Sequence, residues 1–269
     1  MLASHVMPAD DSTSFRGLLD VGGRGLYAEV TGRGDPPVVF DNGNATSLAR
    51  WGSVPAEAAR TTRVVTYDRA GIGRSDPAPR PRTSRNIVAD LRALLAALDV
   101  FPPYILVGHS FGAINVRLFA TLHPDEVAGL VLVDPANEDQ YARSLDDVPP
   151  EKRAARESFL LGANPEGLDQ LASAGQLRAA GSLPTLRPVV LSSNIPPNAA
   201  SLTPEDIDAM RQRWHGGHAA IASRVPNSVH LIAERSRHFI QEDQPDLVLD
   251  AVRSLVDDVR VSLRRSRHT

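Results

Sequence analysis

Apolar residues gather in short runs of strand length, separated by longer stretches of mixed polarity. Residues 38–41, 63–67, 104–107, 127–133, 188–192 and 229–233 are almost unbroken apolar runs. Continuous apolar character, as opposed to strict alternation, marks strands covered on both faces. Residues 16–20 and 25–31 flank Val21-Gly22-Gly23-Arg24 and predict a hairpin. Between the runs, Ile87, Leu91, Leu94, Leu95 and Leu98 recur at helical spacing. Residues 113–122 and 245–263 carry similar patterns. Strands alternating with helices require right-handed crossovers. The pattern therefore predicts an α/β fold: a mostly parallel eight-stranded sheet with helices on both faces.

The rhythm breaks between residues 137 and 184, where no run reads as a strand. This stretch holds Pro149-Pro150, a charged helical segment at 151–161 and an Ala-, Leu- and Gly-rich segment at 165–180. Phe159, Leu160, Leu161, Leu168 and Leu171 need burial, which argues against a disordered linker. The expected plan is a flexible tail at 1–14, a core of 15–136 and 185–269, and a small helical cap insert at 137–184 over the strand ends.

Composition narrows the chemistry. A chain of 269 residues can bury most of the surface it exposes when unfolded. It has no cysteine, which excludes disulfides, thiolate metal sites and a cysteine nucleophile. Its net charge is −3, from 29 basic and 32 acidic residues, and gives no support to a nucleic-acid partner. No apolar run approaches the roughly 20 residues that span a bilayer. The first 14 residues carry Asp10 and Asp11 and lack the apolar stretch of a secretory signal. A cytoplasmic protein with no membrane partner and no cofactor is expected.

The run Tyr104-Ile105-Leu106-Val107 ends in Gly108-His109-Ser110-Phe111-Gly112, and a helical pattern follows at once. Gly-x-Ser-x-Gly between a strand and a helix is the signature of a nucleophile elbow. A side chain larger than hydrogen would clash at either glycine. The turn lifts the Ser110 hydroxyl off the sheet edge and aims the Phe111 N–H where an oxyanion would form.

A serine hydroxyl needs a base to take its proton. Of eight histidines, His238 is best placed, in the loop after the strand 229–233. In an open α/β sheet the ligand crevice lies at the carboxyl ends of the strands, where Ser110 also sits. His109 points away from the serine and is read as a packing residue. His215 and His218 are three apart but have no third ligand for a metal, so no metal site is expected. His230 suggests only a surface or capping role.

The imidazole needs a carboxylate to fix its tautomer. The loop after the strand 188–192 reads Ser193-Asn194-Ile195-Pro196-Pro197-Asn198 and holds no acid. Asp134 closes the apolar strand 127–133 before Pro135 and faces the same crevice. It is the favoured acid, with Asp206 or Asp208, and Glu138 or Asp139, as alternatives. The order Ser110, Asp134, His238 agrees with Ser…Asp…His. The second oxyanion donor should come from Asn42-Gly43-Asn44-Ala45, with the N–H of Asn44 first and Ala45 as fallback. Each such donor is worth about 2.7–4 kcal/mol in the transition state. Asp68-Arg69-Ala70-Gly71-Ile72-Gly73-Arg74-Ser75 lacks the third glycine of a dinucleotide site and reads as a tight turn beneath the oxyanion loop.

Taken together, the Asn-Gly-Asn-Ala loop, the stretch from Tyr67 to Ser75, the elbow and the loop around His238 resemble the α/β-hydrolase fold superfamily. The resemblance runs from about Arg16 to Leu263. It implies the fold, but no particular substrate. Two departures stand out. Asn42 replaces the family's common histidine before the oxyanion glycine. The acid sits at a strand end, as in haloalkane dehalogenase relatives, but those enzymes and the epoxide hydrolases use an aspartate nucleophile where this chain has Ser110. The expectation is a serine hydrolase of a carboxylic ester, lactone or thioester acting on a small-molecule acyl substrate. An acyl-transferring or cyclising enzyme, or a ligand-binding member, is the alternative. Tyr141 and Phe159 of the insert are expected to roof the pocket, with Trp51 and Trp214 facing it.

Overall fold

A computed structural model describes residues 14–196 and 199–266. All but the last residue of the expected N-terminal tail thus lies outside the described residues. The strands are β1 (Phe15–Asp20), β2 (Gly25–Thr31), β3 (Val38–Asp41), β4 (Val64–Tyr67), β5 (Tyr104–His109), β6 (Val127–Val133), β7 (Val189–Ser193) and β8 (Val229–Ala233). They form one sheet in the order β1-β2-β4-β3-β5-β6-β7-β8. β2 pairs antiparallel with β1 and β4, and the other pairings are parallel.

Alternation along the strands builds two cores, one on each face. On β5, Tyr104 and Leu106 enter one core and Ile105 and Val107 the other. β6 divides in the same way, with Leu130 and Leu132 opposite Val131 and Val133. The first face is covered by α2 (Ser84–Ala97) and α3 (Gly112–Leu122), and the second by α1 (Val54–Ala58), α8 (Ile240–Asp243) and α9 (Pro245–Ser266). One expectation fails here. The run at 229–233 reads as a strand covered on both faces, but β8 is the sheet edge and Leu231 is 39% exposed. Apolar character signals a strand; it does not specify how many neighbours that strand will have.

Three helices lie between β6 and β7: α4 (Glu138–Asp146), α5 (Pro150–Leu160) and α6 (Gln170–Ala180). Asn137 caps α4 by accepting from Asp139 N, and Asp169 caps α6 by accepting from Ala172 N. A fourth helix, α7 (Pro204–Ala222), separates β7 from β8. The first of these helices is tied to the core by charge. Arg117, buried on α3, donates to both oxygens of Glu138 at 2.8 and 3.2 Å, and Arg224 also reaches that carboxylate. Burial alone would raise the pKa of Glu138. The hydrogen bonds and charge of Arg117, aided by Arg224, bring it instead down to about 2.

Two stability predictions follow from this packing. Leu255 on α9 is buried against Gly129 of β6. Leu255→Ala should cost about 2–5 kcal/mol in urea unfolding. Val261→Ala, on the exposed side of the same helix, should stay within about 0.5 kcal/mol. The second concerns acid. The folded pKa of Glu138 lies below its unfolded value, so its contribution is present above about 4.5 and lost as pH falls towards about 2. Glu138→Gln should be less stable at neutral pH and lack this part of the acid-induced decline, as stepped-pH unfolding would show.

Candidate active site

The turn after β5 is as tight as its glycines require. A Cβ on Gly108 would lie 2.7 Å from the Gly112 carbonyl, and one on Gly112 would lie 2.4 Å from the Asp41 carbonyl. Ser110 adopts a left-handed φ of 51°. Its N–H donates to Val133 O at 3.0 Å and its carbonyl accepts from Ala136 N at 2.9 Å. These bonds tie the elbow to the end of β6, where Asp134 stands.

Asp134 also has a left-handed φ, of 44°, and is 1% exposed. Four donors converge on its carboxylate. Oδ1 accepts from Ser193 N at 2.7 Å and from Trp214 Nε1 at 2.8 Å. Oδ2 accepts from the Ser193 hydroxyl at 3.0 Å and from His238 Nδ1 at 2.7 Å. Burial works to raise the pKa of this acid. The hydrogen bond and charge of His238, with His218 and Ser193 N, outweigh burial and hold it below the usual carboxylate value. An ionised Asp134 makes His238 Nδ1 the donor, which leaves the Nε2 lone pair free. The alternative acids are engaged elsewhere. Asp206 accepts from the Thr203 hydroxyl at 2.8 Å as the partner of that residue in the capping box of α7, Asp208 faces Arg211, Glu138 is held by Arg117, and Asp139 pairs with Arg178.

His109 does more than pack. Its Nε2 donates to the His238 carbonyl at 2.9 Å, while its ring lies tilted against those of His238 and Phe239, at centroid distances of 4.7 and 5.1 Å. Burial, reinforced by His238, drives its pKa down to about 3, so the ring is neutral at physiological pH. It anchors the backbone of the loop that carries the imidazole. The motif alone implies only packing, because nothing in it shows which carbonyl lies opposite.

On the other side of Ser110 lies the loop after β3. Ala45, at φ 55°, donates its N–H to Glu166 Oε2 at 2.9 Å, so the fallback oxyanion donor is already occupied. Among the described residues, the N–H groups of Asn44 and Phe111 have no acceptor. Asn42 Nδ2 donates to Tyr67 O at 3.0 Å, which pins the base of the loop to β4. The turn from Asp68 to Ser75 lies beside it, as its glycines suggested, with Asp68 Oδ1 accepting from Leu48 N and Oδ2 from Arg74 N.

Two residues expected to face the pocket part company. Trp51 is buried in the core against Phe40, at 4.9 Å between ring centroids. Trp214 borders a cleft of about 300 Å³, together with Met210 and Pro196, and Asp134 and His238 line the same cleft. Tyr141 is buried 6.4 Å from the Phe111 ring. His230 and His218 are linked by Ser192: His230 Nε2 lies 2.7 Å and His218 Nδ1 2.6 Å from its hydroxyl. His218 Nε2 donates to Pro135 O at 2.8 Å, so this chain supports the backbone beside Asp134. His215 Nε2 donates to Ser193 O at 2.9 Å. Both histidines of the His-x-x-His pair thus serve the acid's surroundings.

A family model described as alpha/beta hydrolase fold matches residues 36–185. The chain is 34% identical over 214 residues to the uncharacterized protein YqjL of Bacillus subtilis, covering 78% of this chain and 79% of that one. Among solved structures it resembles a thermophilic esterase from Thermogutta terrifontis, with TM-score 0.61 and 22% identity over 91% of this chain and 97% of that one. It also resembles an epoxide hydrolase of Vigna radiata, with TM-score 0.66 and 16% identity over 91% and 99% of the two chains. At such identities the two structures speak for the fold alone. The eight-stranded sheet, the serine turn and the family match agree, and the chain belongs to the alpha/beta hydrolase fold family.

Proposed function

We propose that this protein is a serine hydrolase that cleaves a carboxylic ester, lactone or thioester through an acyl-enzyme on Ser110. The hydrogen bond between the buried Asp134 carboxylate and His238 Nδ1, beside a left-handed Ser110, carries this reading. It leaves His238 Nε2 free to accept a proton, on a residue that lines the cleft. Among the described residues no hydrogen bond joins that nitrogen to the Ser110 hydroxyl. Such contacts are often long in resting enzymes and tighten when substrate binds.

In this reading the Ser110 hydroxyl attacks the carbonyl carbon and gives its proton to His238 Nε2. The Phe111 and Asn44 amides receive the oxyanion. The imidazolium, stabilised by Asp134, protonates the departing alcohol or thiol as the acyl-enzyme forms. His238 then takes a proton from water, whose oxygen attacks the acyl carbon, and Ser110 leaves with the proton returned. The cleft beside His238, walled by Trp214, Met210 and Pro196, suits an apolar alcohol or acyl group.

A serine at the nucleophile position supports ester-type chemistry over the dehalogenase and epoxide hydrolase reactions, which rely on a carboxylate at that point. Ser110→Ala should lose turnover of an activated aryl ester by at least about 10³-fold and lose labelling by a fluorophosphonate. Wild-type turnover from that variant would overturn the reading, and failure of the folded wild type to label would favour a binding role. Asp134→Asn should lower kcat by about 10⁴ while leaving the elbow intact. Product analysis separates hydrolysis, which yields a free acid, from acyl transfer or cyclisation, which does not.

A further inference from the structure

Glu166 and Arg69 take no part in the reaction as written, but both are buried and held by several hydrogen bonds. Arg69, in the turn after β4, is 2% exposed and Glu166 is 1% exposed. The Arg69 Nε donates to Glu166 Oε1 at 2.5 Å, and its second terminal nitrogen donates to Glu166 Oε2 at 2.8 Å. The first terminal nitrogen donates to Asp41 Oδ1 and to Asn42 O, both at 2.5 Å. The second also donates to Gly43 O at 2.7 Å. One guanidinium therefore grips three consecutive residues, 41 to 43, as the chain leaves β3. Glu166 holds that guanidinium bidentately and takes the Ala45 N–H as well. The backbone is fixed on both sides of Asn44.

Glu166 is itself held rigidly. Asn164 accepts from Leu168 N at 2.9 Å and donates to Phe159 O and Leu168 O at 2.8 and 2.7 Å, closing a turn that aims Glu166 inward. The same turn is laced to the core through Arg82 N to Gly167 O and Asp169 N to Arg82 O, each at 2.8 Å. Arg80 adds a bond to Pro165 O at 2.7 Å.

We infer that Glu166, acting through Arg69, is a positioning residue that sets the direction of the Asn44 amide, so that the segment before α6 works as a strut for the oxyanion hole. This rests on the serine hydrolase reading for its catalytic consequence, but the mechanical link stands apart from it. A buried pair of charges is an expensive way to hold a loop, since packed apolar residues would stabilise the fold as well or better. A guanidinium offers what apolar packing cannot: five donors in a fixed plane, matched to carbonyls and carboxylates at set angles. A tie of this kind suits a donor that must point to within a fraction of an ångström.

The test uses full-length protein, amide hydrogen exchange and steady-state kinetics with an activated aryl ester. In Glu166→Ala, exchange at residues 42–46 should quicken by about tenfold or more, with α9 unchanged, because only the local tie is lost. The same variant should lose about 10² in kcat, with KM within about threefold of wild type, as expected for a misdirected transition-state donor. Glu166→Gln keeps oxygen and shape and should recover at least about tenfold of that loss. This variant also serves if Glu166→Ala does not fold: it should then show faster exchange at 42–46 alone and a kcat loss of up to about tenfold. The inference is overturned if exchange at 42–46 does not change, if it rises equally in α9, or if folded Glu166→Ala keeps wild-type kcat. Should wild-type protein lack ester turnover altogether, the hydrolase reading fails, and the exchange data still decide whether Glu166 fixes the loop.

Discussion

A carboxylate shielded from water keeps its charge only if donors replace the water it has lost. Asp134 meets that condition with four, contributed by the end of β7, by α7 and by the loop after β8. Those segments are separated by long stretches of chain, and the sheet order places β6 beside β7 and β7 beside β8. The charge on Asp134 therefore depends on the fold of that whole edge. In turn the charge fixes which nitrogen of His238 carries a proton. Acid, imidazole tautomer and strand order form one dependent series, and the chemistry proposed for Ser110 stands at its end.

The backbone bears the same stamp. Ala45, Ser110 and Asp134 all adopt left-handed φ angles, at 55°, 51° and 44°. Conformations of this kind cost of order 1–3 kcal/mol each and persist where surrounding bonds over-determine them. The bonds are visible in each case: Glu166 on Ala45 N, Val133 O and Ala136 N on Ser110, Leu191 O on Asp134 N. Each turns the chain just beyond the carboxyl end of a strand. Asp99 and Asn227 adopt the same kind of angle in the loops that lead into β5 and β8, so left-handed turns occur at both ends of the sheet, but only the three above follow the carboxyl end of a strand.

Much of this was legible in the chain. All eight strands stand within two residues of the segments that predict them, because a short run of strand-forming residues leaves a strong and local trace even in β1 and β8, which are only partly buried. α7 is legible only in its first turn, where Thr203 and Pro204 precede Glu205 and Asp206. Gly216 and Gly217 interrupt its pattern, and few of its residues are buried. Asp134 and His238, 104 residues apart, could be paired because both close strands at one end of a parallel sheet. Glu166 could not be found in this way. It lies in a short turn without strand or motif, 97 residues from Arg69, and its neighbours exist only once the insert has folded. Trp214 is expected at the pocket, but its bond to Asp134 is not foreseeable for a similar reason: the acceptor of an indole N–H inside a helix is set by the helix's rotation, which a weak apolar pattern does not specify. Motifs report what the backbone must do locally; polar partners drawn across the fold leave no such mark.

The loop after β7 shows how an absence can be informative once its complement is known. It has no acid, which first suggested that the carboxylate had moved to β6. With a carboxylate at position 134, the neighbouring strand end must supply donors, and a second acid there would repel the first at hydrogen-bond range. Ser193 meets this demand twice, with its N–H and its hydroxyl, and its carbonyl is left to accept from His215. Moving the acid by one strand thus reverses the polarity required of the next. Ser192 extends the arrangement by bridging His230 and His218, the latter bonded to Pro135 O beside the acid. Placement of the acid on β6 and the serine pair on β7 are two halves of one electrostatic arrangement, in which the donors of one strand end answer the acceptor of the other.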